Sequence, residues 1–392
     1  MQLPLYFDHN ATTPCAPEVV EAMLPYFTTH FGNASSSQHA YGWLAEEAVE
    51  TAREEVAKLI GASPKHLIFT SGATEAINLA IRGTAMENPD KKQIITFRTE
   101  HAAVLDTCKD MEEKGYEVHY LGVDENGLPD LGELEKTINK DTLMVIAMLA
   151  NNETGVVFPL EEIAVIAHAK ETLLLSDGVQ AVGKIPVAVD QLQVDIMPLS
   201  GHKMYGPKGV GALYIRNNPR KVRLRSILTG GGHERGWRSG TLNVGGIVGL
   251  GAAASLRISH LDTEYKRLAL LRDKLEENIL KLEGTKLNGD PLKRLPHVTN
   301  ISFEGVESKA WQIAINKSIA CSSGSACSSI TEKASHVLKA MGITDQIAKN
   351  TLRLSMGLST TERDVDVAIS HITKSLHALR AGKETRNTAV TP

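Results

Sequence analysis

The chain has 392 residues, 42% of them apolar and 22% charged, with a formal net charge of -4. That is enough chain for two or three domains, and its mild acidity gives no footing for a nucleic-acid surface. Its four cysteines, Cys15, Cys108, Cys321 and Cys327, show neither the close pairing of a zinc site nor a disulfide framework, so no metal is expected and a reducing compartment is.

The N-terminus, Met1 to His9, lacks a basic region and an apolar signal core. The longest apolar run, from Val244 to Leu256, is short and glycine-rich for a bilayer span. A cytoplasmic protein without membrane contact is the expectation. Residues 1–14 read as an extended arm ending in the turn Ala11-Thr12-Thr13-Pro14, and Pro17 opens a helix to about Phe27. In the next helix Ala45, Ala48, Val49, Ala52, Val56, Leu59 and Ile60 recur at three- and four-residue spacing, and Gly61 stands at the C-cap. Strands over 67–69, 94–97, 118–121, 143–148 and 173–175 then alternate with helices from Thr74, through Met111 and over 160–169. Two further apolar runs, 195–199 and 210–215, flank a small-residue turn. Apolar strands that do not alternate with polar residues predict a mostly parallel central sheet covered by helices on both faces.

Beyond Gly240 the pattern becomes α+β. A long helix over 261–282 presents Leu261, Tyr265, Leu268, Leu275, Ile279 and Leu282 on one face. A strand over 300–303, helices over 310–315 and 334–338, and a strand over 352–356 follow. The last helix opens on a capping box from Ser359 to Glu362. The fold class is α/β, with a large domain over 15–255 and a small α+β domain made of 1–14 and 256–392. The polar tail from Ala381 is expected to fray.

In an open parallel sheet, ligands bind beyond the carboxyl ends of the strands. Thr70-Ser71-Gly72-Ala73-Thr74-Glu75 follows one strand, a small-residue turn into a helix that suits a phosphate. His101 follows the next, placed to stack on a planar ring or move protons. Asn151 and Asn152 offer amides, and Asp177 ends an apolar strand, where a carboxylate is costly without a partner. Lys203 stands in Ser200-Gly201-His202-Lys203, between two strands, where its amine can meet a carbonyl as a Schiff base. A phosphate cradle, a ring stacker, amide donors, a buried acid and an amine are what pyridoxal 5'-phosphate requires. No dinucleotide fingerprint or P-loop competes with that reading.

Residues 319–329 read Ile-Ala-Cys-Ser-Ser-Gly-Ser-Ala-Cys-Ser-Ser. A loop so rich in Ser and Gly exposes its thiols, unlike the usual buried Cys. It either carries a nucleophile or holds an incidental thiol. Cys108 reads as a helix residue, Cys15 as incidental and Cys321 as the base of the loop.

Taken together, Tyr6-Phe7-Asp8-His9-Asn10-Ala11-Thr12-Thr13-Pro14, Thr99-Glu100-His101, Asn151-Asn152-Glu153, Ser200-Gly201-His202-Lys203, Arg238-Ser239-Gly240-Thr241 and Ser322-Ser323-Gly324-Ser325-Ala326-Cys327 resemble the NifS/IscS class of cysteine desulfurases over residues 6 to about 380. The resemblance implies fold type I of the pyridoxal phosphate enzymes, in the class-V aminotransferase family. It implies that Lys203 carries the cofactor and acts as the base at Cα, that Asp177 pairs with the pyridinium nitrogen and that His101 stacks on the ring. Asn152 and Gln180 would bond the ring oxygen. Ala73, Thr74, Ser200 and His202 would hold the phosphate, with Thr241 reaching in from a second subunit of a homodimer. Asn33 and Arg353 would grip the substrate carboxylate. Cys327, on the small-domain loop at about 321–332, would take sulfur from L-cysteine as a persulfide, releasing L-alanine. The sulfur would pass to an acceptor or iron–sulfur scaffold protein. Rival readings are a selenocysteine lyase, another pyridoxal phosphate lyase or aminotransferase, and a sulfur-relay component whose main role is docking. The chain has Ala34 where the family usually has Pro and Gly178 where Ala is usual, and its C-terminal tail does not resemble the acceptor-docking tail of the IscS branch.

Overall fold

Strands that are apolar on both faces must sit between two layers, and the chain is built around them. The structure, a computed structural model, describes residues 3–306, 308–322 and 334–388, with side chains as far as 381. It opens with β1 (Leu5–Tyr6), α1 (Pro17–Met23), α2 (Pro25–Thr28) and α3 (Ala40–Leu59). Then come β2 (Leu67–Thr70), α4 (Ala73–Glu87), β3 (Gln93–Phe97), α5 (Ala102–Glu113), β4 (Glu117–Leu121), α6 (Leu131–Thr137), β5 (Thr142–Ile146), α7 (Leu160–His168), β6 (Leu173–Leu175), β7 (Ile196–Ser200) and β8 (Gly211–Ile215). The rest is α8 (Val244–Ile279), β9 (Thr285–Leu287), β10 (Val298–Phe303), α9 (Ser308–Asn316), β11 (Ile319–Ala320), α10 (His336–Ala340), α11 (Asp345–Lys349), β12 (Thr351–Ser355) and α12 (Glu362–Thr388).

Strands β2 to β8 form one seven-stranded sheet in the order β2-β8-β7-β6-β5-β3-β4. Only β8 runs against its neighbours, and the remaining pairs are parallel. Leu67 and Phe69 face a core shared with α3, α7 and the start of α8, while Ile68 faces α4 and α5. Every strand position has an apolar layer to enter, which is why these strands carry no polar alternation.

A second sheet, β12-β10-β9, is antiparallel. It shares with α9, α12 and the second half of α8 a separate core that holds Phe303, Trp311 and Leu354. β1 pairs in parallel with β11, and Phe7 lies in that same core. The N-terminal arm therefore starts in the small layer and runs from there toward the large sheet.

The long helix α8 and both ends of α12 differ from the sequence expectation. The helix expected over 261–282 is part of α8, a single 36-residue helix that runs straight through position 255. Four glycines hid its first half, since each lowers helix propensity by about 1 kcal/mol. What they gain is close approach: a Cβ on Gly251 would stand 2.6 Å from Ala52 Cα. By length and composition α8 could cross a bilayer, but 56% of its apolar window is buried inside the fold. At the other end of the chain, the capping box is Thr361–Asp364 rather than Ser359–Glu362. Thr361 N donates to Asp364 Oδ2 at 2.8 Å and Asp364 N to Thr361 Oγ1 at 3.2 Å. The backbone of α12 stays helical to Thr388, past Ala381.

A methyl added at Gly251 has nowhere to go but into the α3 backbone. We expect Gly251→Ala to lower stability by about 1–3 kcal/mol through overpacking, read as a fall in the thermal melting temperature.

Candidate active site

The parallel strands end at one edge of the large sheet, and the loops that follow β2, β3, β5, β6 and β7 surround a cavity of about 640 Å³. After β2, Gly72 takes a φ of +151° with nothing within 4 Å of the place a Cβ would occupy. That turn starts α4 at the cavity wall with Ala73 and Thr74. First-turn N–H groups have no intrahelical acceptor, so they are available to an anion. Ser200 and His202 line the same cavity from the end of β7. The His202 imidazole lies 3.1 Å from Thr12 Oγ1. Burial, then the charges of Lys203, Lys208 and Lys184, pull its pKa down to about 4, so it is neutral at physiological pH. Glu75 closes this corner by pairing with Arg238 at 2.7 Å and accepting from Ser71 N at 2.9 Å. Burial opposes its charge, but those bonds hold its carboxyl below the usual range.

His101 caps α5, its Nδ1 accepting from Ala103 N at 3.1 Å, which leaves the neutral ring's proton on Nε2. Asp177 lies 7% exposed just beyond β6 and accepts from Val179 N at 2.9 Å. Burial raises its pKa, against the pull of His101, the Val179 bond and Lys203. Lys203 ends the short helical turn after β7, and its Nζ donates to Asn10 O at 2.5 Å and to Ala11 O at 2.8 Å. Gln180 Nε2 donates to Asn10 O at 3.0 Å, and its Oε1 accepts from Lys184 Nζ at 2.8 Å. Asn152 lines the cavity too, and its carbonyl receives Asn10 Nδ2 at 3.1 Å.

The remaining sequence candidates do not line the cavity of this single chain. Arg353 is 1% exposed behind Asn152; it donates to Asn152 O at 2.9 Å, Asp8 Oδ1 at 2.6 Å and Ser322 Oγ at 3.0 Å. Its Nε has no partner among the described residues. Asn33 is exposed, its Oδ1 accepting from Ser35 N at 2.9 Å, and Thr241 is exposed before α8. Cys327 lies outside the described residues. Cys321 is half-buried, and burial followed by the charge of Asp8 pushes its thiol up to about 12, which keeps it protonated.

Sequence reasoning missed four residues here. Asn10 supplies the carbonyl that holds Lys203, but an Asn beside Ala11-Thr12-Thr13-Pro14 reads as turn chemistry. Lys184 is partly buried, and burial with the nearby Lys203, Arg353 and Arg257 drives its pKa well down. Glu100 is wholly buried, one oxygen accepting from Met148 N at 2.6 Å and the other without a partner among the described residues. Glu153 is 1% exposed beside Asn152. A carboxyl in an otherwise apolar or amide-rich strand end was the signal available for both acids.

A lysine at the carboxyl edge of a mostly parallel sheet, opposed by a buried aspartate and an anion-ready helix start, defines an α/β enzyme that works through a carbonyl-bearing group. The chain belongs to the aminotransferase class-V family, whose sequence profile matches residues 5–367. Within it, the chain falls with the cysteine desulfurases of the NifS/IscS class. It is 49% identical over 382 residues to "Cysteine desulfurase IscS" of Anaeromyxobacter sp. (strain K), covering 97% of this chain and 94% of that protein. A Klebsiella pneumoniae protein of the same name is 47% identical over 383 residues, again covering 97% and 94%. Among solved structures, a "NifS-like protein" superposes with a TM-score of 0.89 at 38% identity, over 96% of this chain and all 100% of that one. "SspA in complex with cysteine" gives a TM-score of 0.81 at 34% identity, over 90% of this chain and 98% of the other.

Behind the cavity, His9 is 1% exposed and its Nδ1 stands 3.0 Å from Ser355 O. Burial, only partly offset by that bond, lowers its pKa to about 4. A depressed histidine binds its proton more weakly when folded, so stability is retained above the unfolded value and lost as pH falls from about 6.5 to about 4. Thermal melts over that window should decline by an amount to which His9 contributes on the order of 3 kcal/mol at most, and His9→Gln should flatten the decline.

Proposed function

We propose that the protein is a pyridoxal 5'-phosphate-dependent cysteine desulfurase that converts L-cysteine to L-alanine and leaves the sulfur as a persulfide on Cys327. One observation carries this reading: Lys203, Asp177, His101 and the open first turn of α4 meet in a single cavity. The donor set fits the cofactor. Unfilled space beside Gly72, the first-turn N–H groups of Ala73 and Thr74, the Ser200 hydroxyl and the neutral His202 suit its phosphate. Asp177 suits a protonated pyridine nitrogen, and Asn152 and Gln180 suit the ring oxygen. When bound, the cofactor supplies an electron sink for the pair released at Cα of the substrate.

The chain's own residues do the rest. The carbonyls of Asn10 and Ala11 hold the Lys203 amine, and that amine removes the Cα proton. Asp177, whose pKa burial raises against the pull of His101 and Lys203, would stabilise positive charge at a ring nitrogen of the bound cofactor. Arg353, with Asn33, takes the substrate carboxylate by exchanging it for Asp8. The Cys327 thiolate then attacks the substrate sulfur; an S–S bond forms as the Cβ–S bond breaks, and the carbon keeps that pair, gains protons and leaves as alanine. Covalent reach permits the attack. Cys327 follows Ser322 by five residues, a tether of about 18 Å. Ser322 is itself bonded to Arg353, which is bonded to Asn152 at the cavity wall.

On this reading the protein is a homodimer, and Thr241 enters the site of the second copy. Leu24, Phe27, Phe31, Tyr41 and Trp43 are more than half exposed on neighbouring segments, an apolar surface that a second copy would cover. The sulfur is passed to an acceptor protein in the cytoplasm, for iron–sulfur cluster assembly or a related thio-cofactor.

Cys327→Ser should retain the visible absorbance of the bound cofactor and lose at least about a hundredfold in alanine formation from L-cysteine. Mass spectrometry of the wild type after one turnover should place the added sulfur on Cys327. Sulfur on Cys321, or full activity in the variant, refutes the assignment.

A further inference from the structure

The residues on either side of 323–333 are tied to the frame of the active site. On the N-terminal side, Arg353 N donates to Ser322 O at 2.8 Å, and Ser322 Oγ donates to Asp8 Oδ1 at 2.9 Å. On the C-terminal side, Ser335 caps α10 by accepting from Leu338 N at 3.1 Å, while its hydroxyl donates to Glu153 Oε2 at 2.5 Å. His336 Nε2 donates to Glu100 O at 2.9 Å. Glu153 directly follows Asn152, and Glu100 directly precedes His101. The two ties on the C-terminal side therefore land on the very loops that line the cavity.

Resting on the reading of Cys327 as nucleophile, we propose that Glu153 and Ser335 are positioning residues for sulfur transfer, fixing the C-terminal root of the segment that carries Cys327 to the turn that carries Asn152. The gain is one of effective concentration. Cys327 follows Ser322 by five residues and precedes Ser335 by eight. With both roots fixed, its thiol is confined to the overlap of two tethers of about 18 and 29 Å. Losing the Ser335 bond leaves that root held by His336 and α10 alone, which loosens the C-terminal tether and lowers the frequency of encounters at the substrate sulfur.

The chemistry of the tie is specific. Glu153 is 1% exposed and Ser335 4%, so water competes little for the bond. Ser335 at the head of α10 donates to the carboxyl, and the charges of Arg353 on β12 and His101 at the head of α5 act on it. Burial raises the Glu153 pKa to about 7, against the pull of those three. The carboxylate is the stronger acceptor, so the tie is full above pH 7 and weakens as pH falls through it.

The test uses the cofactor-loaded full chain. Ser335→Ala should keep the cofactor absorbance and its change on adding L-cysteine, yet form the Cys327 persulfide about tenfold more slowly in a single turnover. Ser335→Thr, which keeps the hydroxyl, should restore the rate. In the substrate-free protein, alkylation of Cys327 by iodoacetamide, followed by peptide mass, should be several-fold altered in Ser335→Ala. The wild-type single-turnover rate should show an ionisation near pH 7 that Glu153→Gln lacks. Wild-type persulfide and alkylation rates in Ser335→Ala, or an unchanged pH profile in Glu153→Gln, overturn the proposal. A wild type that forms no persulfide on Cys327 instead refutes the functional reading, and the alkylation comparison then still decides whether the tie exists.

Discussion

The carbonyl oxygens of Asn10 and Ala11 hold the amine of Lys203, and much of the site depends on where those two carbonyls stand. The root of Lys203 is set by the turn that ends β7, but a four-carbon stem leaves the amine free to wander. Its position is fixed by the N-terminal arm, which comes from the small layer. Asn10 is in turn clamped on three sides: its N–H donates to Ser355 Oγ at 2.9 Å, its Oδ1 accepts from His297 Nε2 at 2.7 Å, and its Nδ2 donates to Asn152 O at 3.1 Å. Ser355 and His297 belong to the segments around the second sheet. The amine carried by one layer is therefore aimed by side chains of the other.

Burial explains the charge pattern around that amine. Glu100, Asp177 and Glu153 are all buried acids with raised pKa values. They do not share the burden equally. Asp177 has His101 and Lys203 drawing its pKa back down. Glu100 has the negative charge of Asp177 pushing it further up, opposed only by the Met148 N–H bond. Of the two, Glu100 is the one whose surroundings favour the protonated form more strongly. On the cationic side, Lys184 and His297 are both driven down by burial first and then by neighbouring positive charge.

Much of this was legible in the sequence, and the reason is topological. Once a mostly parallel sheet is recognised, every strand end points to the same edge. Ala73, Thr74, His101, Asn152, Asp177, Gln180, Ser200, His202 and Lys203 are far apart in the chain, but each follows a strand, and all line one cavity. What escaped was of two kinds. Asn10 acts through its backbone carbonyl, which no side-chain motif announces. The first half of α8 was hidden because helix propensity counts Gly251 as a cost, while the fold uses it to bring α8 against Ala52. Arg353 shows a subtler limit: the sequence marked it as a clamp but could not reveal that Asp8, Ser322 and the Asn152 carbonyl already hold it.

That pre-existing hold connects substrate binding to the rest of the site. On the proposed reading, a carboxylate arriving at Arg353 must displace Asp8, whose side chain is 19% exposed against 1% for the arginine. Asp8 loses a charge-assisted bond and the incoming carboxylate gains one, so the exchange is close to neutral, and selectivity comes from geometry rather than net charge. Asp8 also holds Ser322, the N-terminal root of the Cys327 segment, and lies two residues from Asn10. One arm of the chain thus bonds Arg353 and Ser322 through Asp8 and supplies the carbonyls that hold Lys203. On the proposed reading, the carboxylate clamp and the carbonyls that hold the Lys203 amine therefore lie on the same short arm, two residues apart.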